Sequence, residues 1–198
     1  VMKYLLIFLS FIAVNQCNEK NKETHFIEGN AKGVANGMRV YLNHLDRNGR
    51  TVAVDTSIVM EEKFYFDKKE QLNSEEIRFL TLDGSAGNFI VLIQNEPLKV
   101  NLKKDSLFNS DVVGSTSNEE LKIFKKRQTT FAANSRRYSG ERTAALKAGN
   151  NAAAAAVTAK WSTAEDGFKA YATEMITNNN SSVVAPMILG ELLNSKLL

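Results

Sequence analysis

The apolar residues of this 198-residue chain change their spacing once, near Ser117, and that change limits the folds open to it. From His25 to about Val113 they come in short runs with a period of two, broken by glycine, asparagine and aspartate, as in antiparallel strands. After Ser117 they recur at intervals of three and four, as on one face of a helix. A period-two pattern cannot bury one face of a helix, nor the longer period one face of a strand. The chain is therefore predicted to be α+β, with an antiparallel β-sandwich-like domain over residues 25–116 and an α-helical hairpin or bundle over residues 117–198.

Within the first part, Met38, Val40 and Leu42 alternate with Arg39, Tyr41 and Asn43, which gives a strand one buried and one wet face. Asp46–Arg50 reads as a turn. Thr51–Met60 and Lys63–Asp67 read as a hairpin about Glu61 and Glu62, with Phe64 and Phe66 toward the core and Tyr65 away from it. Ile77–Leu82, Asn88–Gln94 and Leu98–Leu102 extend the set to five strands or more, separated by Gly84–Gly87 and Asn95–Pro97.

In the second part, Ser117 followed by Glu120 matches a capping box, opening a helix with Leu121, Phe124 and Phe131 on one side. Ser135–Asn150 is polar, contains Gly140 and Gly149, and reads as a loop or frayed stretch. Val157, Trp161, Ala164, Phe168, Tyr171 and Met175 then follow at spacings of four, three, four, three and four, forming a single stripe. The stripe lasts barely three heptads, so packing against the first helix is favoured over a coiled-coil dimer. Val183–Leu193 begins a third helix, with Pro186 tolerable in its first turn.

Residues 1–17 have the shape of a lipoprotein-type signal peptide: Lys3, then about eleven mostly apolar residues from Tyr4 to Val14, then Cys17. A spanning helix needs about 20 apolar residues, so the run is short for a permanent membrane segment. Cys17 is the candidate lipidation site, with Val14 three residues before it, although Gln16 stands where such signals usually carry a small residue. Residues 18–24 would be a tether, and the mature protein would face the periplasm or sit at the outer membrane, held to the envelope membrane by its acyl chains. Hydrophobic residues at 43% and charged residues at 24% are globular values, and a net charge of +3 is too small to argue for nucleic acid as a partner.

Residues with chemistry to offer are scarce. Dithiol exchange needs two neighbouring cysteines, one to attack and one to resolve, and the chain has only Cys17. His25 and His44, nineteen positions apart, match no metal-ligand spacing, and no cofactor motif is present. Gly84-Ser85-Ala86-Gly87 lacks the arrangement of a nucleophile elbow and reads as a loop. Lys122, Lys125, Lys126, Arg127, Arg136, Arg137, Arg142 and Lys147 make the first helix and its loop basic, which reads as a solvated face or a surface for an anionic partner. Glu61-Glu62, Glu75-Glu76 and Glu119-Glu120 read as turn and helix-dipole residues rather than an acid and a base.

The signal ending at Cys17, Phe26-Ile27-Glu28-Gly29, Val40-Tyr41-Leu42, Asp55-Thr56-Ser57 leading to Lys63-Phe64-Tyr65-Phe66, and Val113-Gly114-Ser115 with Asn118 and Leu121 together carry a resemblance. In their order and spacing they resemble the amino-terminal domain of unknown function that precedes the thioredoxin-like domain in lipoproteins of the TlpA/ResA thiol-disulfide interchange group. One departure is Glu62, where the family usually has glycine before the Lys-Phe pair. The resemblance implies strands followed by helices, and a thioredoxin-like domain in cis after Leu198, or a family member without one. It carries over no catalytic residue. The expected role is an accessory, non-catalytic module that positions the redox domain or binds its partner; the competing reading is a stand-alone envelope lipoprotein that binds a ligand or protein partner.

Overall fold

The computed structural model describes residues 26–67 and 71–195. Among them eight strands form two four-stranded sheets, followed by three helices. The strands are β1 (Ile27–Asn30), β2 (Arg39–Leu45), β3 (Thr51–Ile58), β4 (Lys63–Phe66), β5 (Glu76–Leu82), β6 (Phe89–Ile93), β7 (Leu98–Asn101) and β8 (Asp111–Val113). One sheet has the order β4-β1-β7-β8 and the other β3-β2-β5-β6. All pairs are antiparallel except β1 with β7, where Ile27 lies opposite Leu98. The sandwich core between the sheets holds Ile27, Val40, Phe64, Phe66, Leu80 and Val100, each at most 1% exposed. Every one of them sits at the inward phase of its strand, as the period-two pattern requires.

Two residues show why the aromatic pair on β4 belongs inside. The Phe64 and Phe66 rings meet edge to face at 5.9 Å. Phe64 lies directly opposite Gly29 on β1, and its ring occupies the space of the missing side chain, since a Cβ on Gly29 would come within 2.0 Å of it. A side chain at position 29 and a ring at position 64 exclude each other.

The segment about Glu61 and Glu62 is a tight turn, but not the centre of a simple hairpin. Met60 and Lys63 exchange backbone hydrogen bonds across it at 2.9 Å, and both glutamates are left-handed, with φ of 51° and 62°. Beyond the turn the chain changes sheet, because β3 pairs with β2 and β4 pairs with β1. The two runs are therefore successive strands of opposite layers. The Glu62 carboxylate accepts from the Gly33 N–H at 2.7 Å, which helps hold the turn where glycine would be freer.

Helices α1 (Thr116–Lys147), α2 (Asn151–Asn178) and α3 (Val184–Asn194) cover the outer face of β5 and β6. The N-cap of α1 is Ser115, not Ser117: its hydroxyl accepts from the Asn118 N–H at 3.2 Å. Gly114 just before it has φ +115°, and a Cβ there would stand 2.6 Å from the Pro97 carbonyl, so the chain makes its corner two residues earlier than the capping-box pattern suggests. Ser117 is instead within 3.2 Å of the Ser182 hydroxyl.

Ser135–Asn150, read from the sequence as a loop or a frayed helical stretch, is regular helix as far as Lys147. Gly140 costs α1 about 1 kcal/mol relative to alanine, which helix formers on both sides, Arg136, Arg137, Glu141, Arg142, Ala144 and Ala145, offset. Only at Gly149, with φ +70°, does the chain reverse, and the Asn150 side chain then caps α2 by accepting from the Ala153 N–H at 2.9 Å. At 32 and 28 residues, α1 and α2 run for about 48 and 42 Å.

The apolar stripe of α2 does pack on α1. Phe168 stacks on Phe131 with ring centres 4.6 Å apart and lies 6.0 Å from Phe124, while Tyr171 stacks on Phe124 at 6.5 Å. Leu92, Leu121, Ala172 and Ile188 close this second core. Pro186 falls in the first turn of α3, where its missing N–H is harmless.

Candidate functional site

Two strands end the sheet that carries the helices, β3 on one side and β6 on the other. An edge strand offers unpaired N–H and C=O groups, and proteins usually blunt it. On β3 the chain does so with a register shift opposite Leu42 and Asn43, with the half-buried polar residues Asp55 and Ser57 on the inward phase, and with the Ser57 hydroxyl accepting from the Tyr65 N–H at 3.0 Å. On β6 the protection is incomplete.

Leu92 is the protected half. Its N–H donates to the Asn118 side-chain oxygen at 2.9 Å, and its carbonyl accepts from the Asn118 amide at 2.7 Å. The same amide donates to Ser115 Oγ at 2.8 Å, so the capping residue and its neighbour are aimed by one network in which both residues are buried. Backbone groups alternate in direction along an antiparallel strand. Leu92 turns its pair away from β5, and so therefore does Ile90, two residues earlier on the same strand. Ile90 has no backbone or side-chain hydrogen-bond partner on that side among the described residues.

Ile90 opens instead into a groove of about 520 Å³ between β6, the 3-10 turn Leu107–Asn109, β8 and α1. Its floor is apolar, formed by Phe89, Ile90, Val112 and Leu121. At its mouth stands Phe108, 75% exposed, although its neighbour Leu107 is fully buried in the sandwich core. The α1 side carries Lys122, Lys125 and Lys126 against a single acidic lining residue, Asp111. Lys122 binds Asp111 at 2.8 Å and Lys125 binds Glu191 at 2.6 Å, while the exposed Lys126 has no ion pair among the described residues. The Lys125 ammonium, joined by the Gln128 amide, outweighs burial and holds the Glu191 carboxyl below the usual carboxylate range.

The other residues singled out from the sequence fall elsewhere. Cys17, His25 and the whole 1–17 signal segment lie outside the described residues. His44 is half-buried near the end of β2, and no group of three or more potential metal ligands occurs among the described residues. No described helix is long and apolar enough to cross a membrane. Gly84–Gly87 forms the connection between β5 and β6. Of the remaining basic residues, Arg127 covers the Tyr171 ring at 4.1 Å and Arg137 pairs with Glu141.

Glu75 departs most from its expected surface role. It reaches the start of α3, accepting from Ser182 Oγ at 2.6 Å and the Val183 N–H at 2.9 Å, and it accepts from the Gln94 amide at 2.9 Å. Burial alone would push its carboxyl up, but these donors together with Ser117 outweigh burial and hold it below the usual carboxylate range. It anchors a helix.

Phe108, Ile90 and Asp111 were not singled out from the sequence, because three separate segments meet to form the groove. The one available signal was Leu107-Phe108, an apolar pair inside the polar stretch Lys103–Ser110.

Residues 26–121 match the family model described as Domain of unknown function (DUF4369). The match covers both sheets and ends at Leu121, just after Gly114, Ser115 and Asn118. No curated protein and no solved structure matches the chain.

Proposed function

We propose that this chain is an accessory, non-catalytic module of a cell-envelope lipoprotein, tethered through Cys17 and serving a thioredoxin-like domain by positioning it or binding its partner. One observation carries the reading. Four residues of the resemblance are taken up by architecture: Gly29 makes room for Phe64, Gly114 turns the corner, Ser115 caps α1, and Asn118 fastens that helix to β6. The groove beside β6, apolar within and basic on one side, then supplies the surface through which such a module would act.

Two measurements test the proposal together. Cells expressing the chain and fed radiolabelled palmitate should yield a labelled, membrane-bound protein, and Cys17→Ser should abolish both label and membrane retention. In solution, a thioredoxin-like domain of the resembled group should shift the amide resonances of Ile90 and Phe108. An unlabelled soluble product, or reduction of insulin disulfides by the purified chain alone, would contradict the proposal.

A further inference from the structure

We infer that the groove takes a short extended segment of a partner protein as an added strand on β6, with acidic and apolar residues in alternation. The inference rests on the reading of the chain as a partner-binding module and names what the partner presents.

Main-chain geometry supplies the first support. Strand addition needs an edge whose N–H and C=O point outward into accessible space. Ile90 meets that need: it lines the groove, lies in a non-hydrogen-bonded pair with Phe79, and has no hydrogen-bond partner on its free side among the described residues. Two residues further on, the Asn118 amide already makes at Leu92 the two hydrogen bonds that a neighbouring strand would make. The edge is thus in register for pairing, and Asn118 sets its limit. A guest can pair at Ile90 and toward Asn88 but no further, which restricts it to a few residues.

Side-chain chemistry supplies the second. Side chains of an added strand alternate between the two faces of the sheet. On the inner face they would meet Phe89, Val112 and the exposed Phe108, which favours apolar residues. On the outer face, where α1 packs, they would meet Lys122, Lys125 and Lys126; Asp111 and Glu191 already pair with the first two, and the unpaired ammonium of Lys126 favours a carboxylate on this side. A basic guest would be repelled there, and a second copy of this chain would have to present an acidic, apolar strand of its own.

The test uses the full chain and a panel of fluorescein-labelled octapeptides in which glutamate alternates with valine or phenylalanine. Controls carry lysine in place of glutamate, or backbone N-methyl groups on alternate residues, which remove the main-chain donors. The glutamate peptides should bind and slow hydrogen exchange at the Ile90 amide by about tenfold or more at saturation. Neither control should do so. Phe108→Ser and Lys126→Glu alter exposed side chains and should leave the fold intact; each should weaken binding by about five- to tenfold, and Lys126→Glu should also reduce the preference over the lysine peptide.

Binding that N-methylation leaves unchanged, or that fails to protect Ile90, would overturn strand addition. So would failure of the whole panel, and so would protection of Ile90 that rises with protein concentration in the absence of peptide, which would make a second copy the occupant. If a thioredoxin-like domain binds while all peptides fail, the module reading stands and this inference falls; if neither binds, both fall.

Discussion

The side-chain amide of Asn118, at the start of α1, pairs with the backbone of Leu92 through two hydrogen bonds of 2.9 and 2.7 Å, as an adjacent strand would. One residue thereby joins the helical layer to the sandwich and closes half of an exposed edge. Neither partner is accessible to water, since Asn118 is 2% exposed and Leu92 is fully buried.

Asn118→Ala should therefore cost more than an ordinary hydrogen-bond deletion. It strands a buried N–H and a buried C=O together, so we expect a loss of about 3 kcal/mol in urea denaturation. Asn118→Asp, which keeps an acceptor for the Leu92 N–H but offers its carbonyl no donor, should also destabilise. A loss below about 1 kcal/mol for Asn118→Ala would mean that water replaces the amide.

Gly29 and Phe64 should behave as a coupled pair. Gly29→Ala forces a Cβ into the Phe64 ring, while Phe64→Leu shortens the side chain that fills the space. Each single change should destabilise by about 2–4 kcal/mol, and the double variant by at least about 1 kcal/mol less than their sum. Simple additivity in a denaturation cycle would contradict the packing described.

Glu61→Gly should stabilise the protein. Glu61 is held at φ 51°, a region costly for side chains other than glycine, while its hydrogen bond from the backbone N–H to Asn36 survives the change. The expected gain is about 0.5–1 kcal/mol, or a rise in Tm of about 1–4 °C. No rise would show that the Glu61 side chain makes a compensating contact.

How much of this was legible depended on the range of the contact. Phe64 and Phe66, the Val40–Leu42 alternation and the Phe168–Tyr171 stripe were all readable, because the period of one element decides which face is buried. The parallel pairing of Ile27 with Leu98 was not, since strand order joins segments distant in sequence and leaves no local mark. The cap was misplaced because Ser117 and Glu120 satisfy a pattern that Ser115 satisfies in space, and Gly114 was the clue that the corner comes earlier. The groove was not legible because Ile90, Phe108 and Lys126 come from three segments: the basic run holding Lys126 and the apolar pair Leu107-Phe108 stand out singly, but nothing local shows that they meet beside Ile90.

Stability should fall in acid partly through Glu75. Its folded-state carboxyl lies below the usual range, so protons bind the unfolded chain more readily. The stabilisation is fully present above the ordinary carboxylate range and is lost as pH drops through the lowered folded value. Glu75→Gln should therefore be less stable than the parent at neutral pH, and the difference should shrink on acidification, as followed by urea midpoints across the acid range. A difference that stays constant with pH would exclude this linkage.

Residue-resolved amide hydrogen exchange on the unliganded chain examines the half-closed edge of β6 most directly. Leu92, bonded to Asn118, should exchange only when the protein unfolds, whereas Ile90, whose N–H faces the groove, should exchange at least about a hundredfold faster. Equal, strong protection at both amides would mean that the edge is already closed and that the groove offers no strand-pairing site.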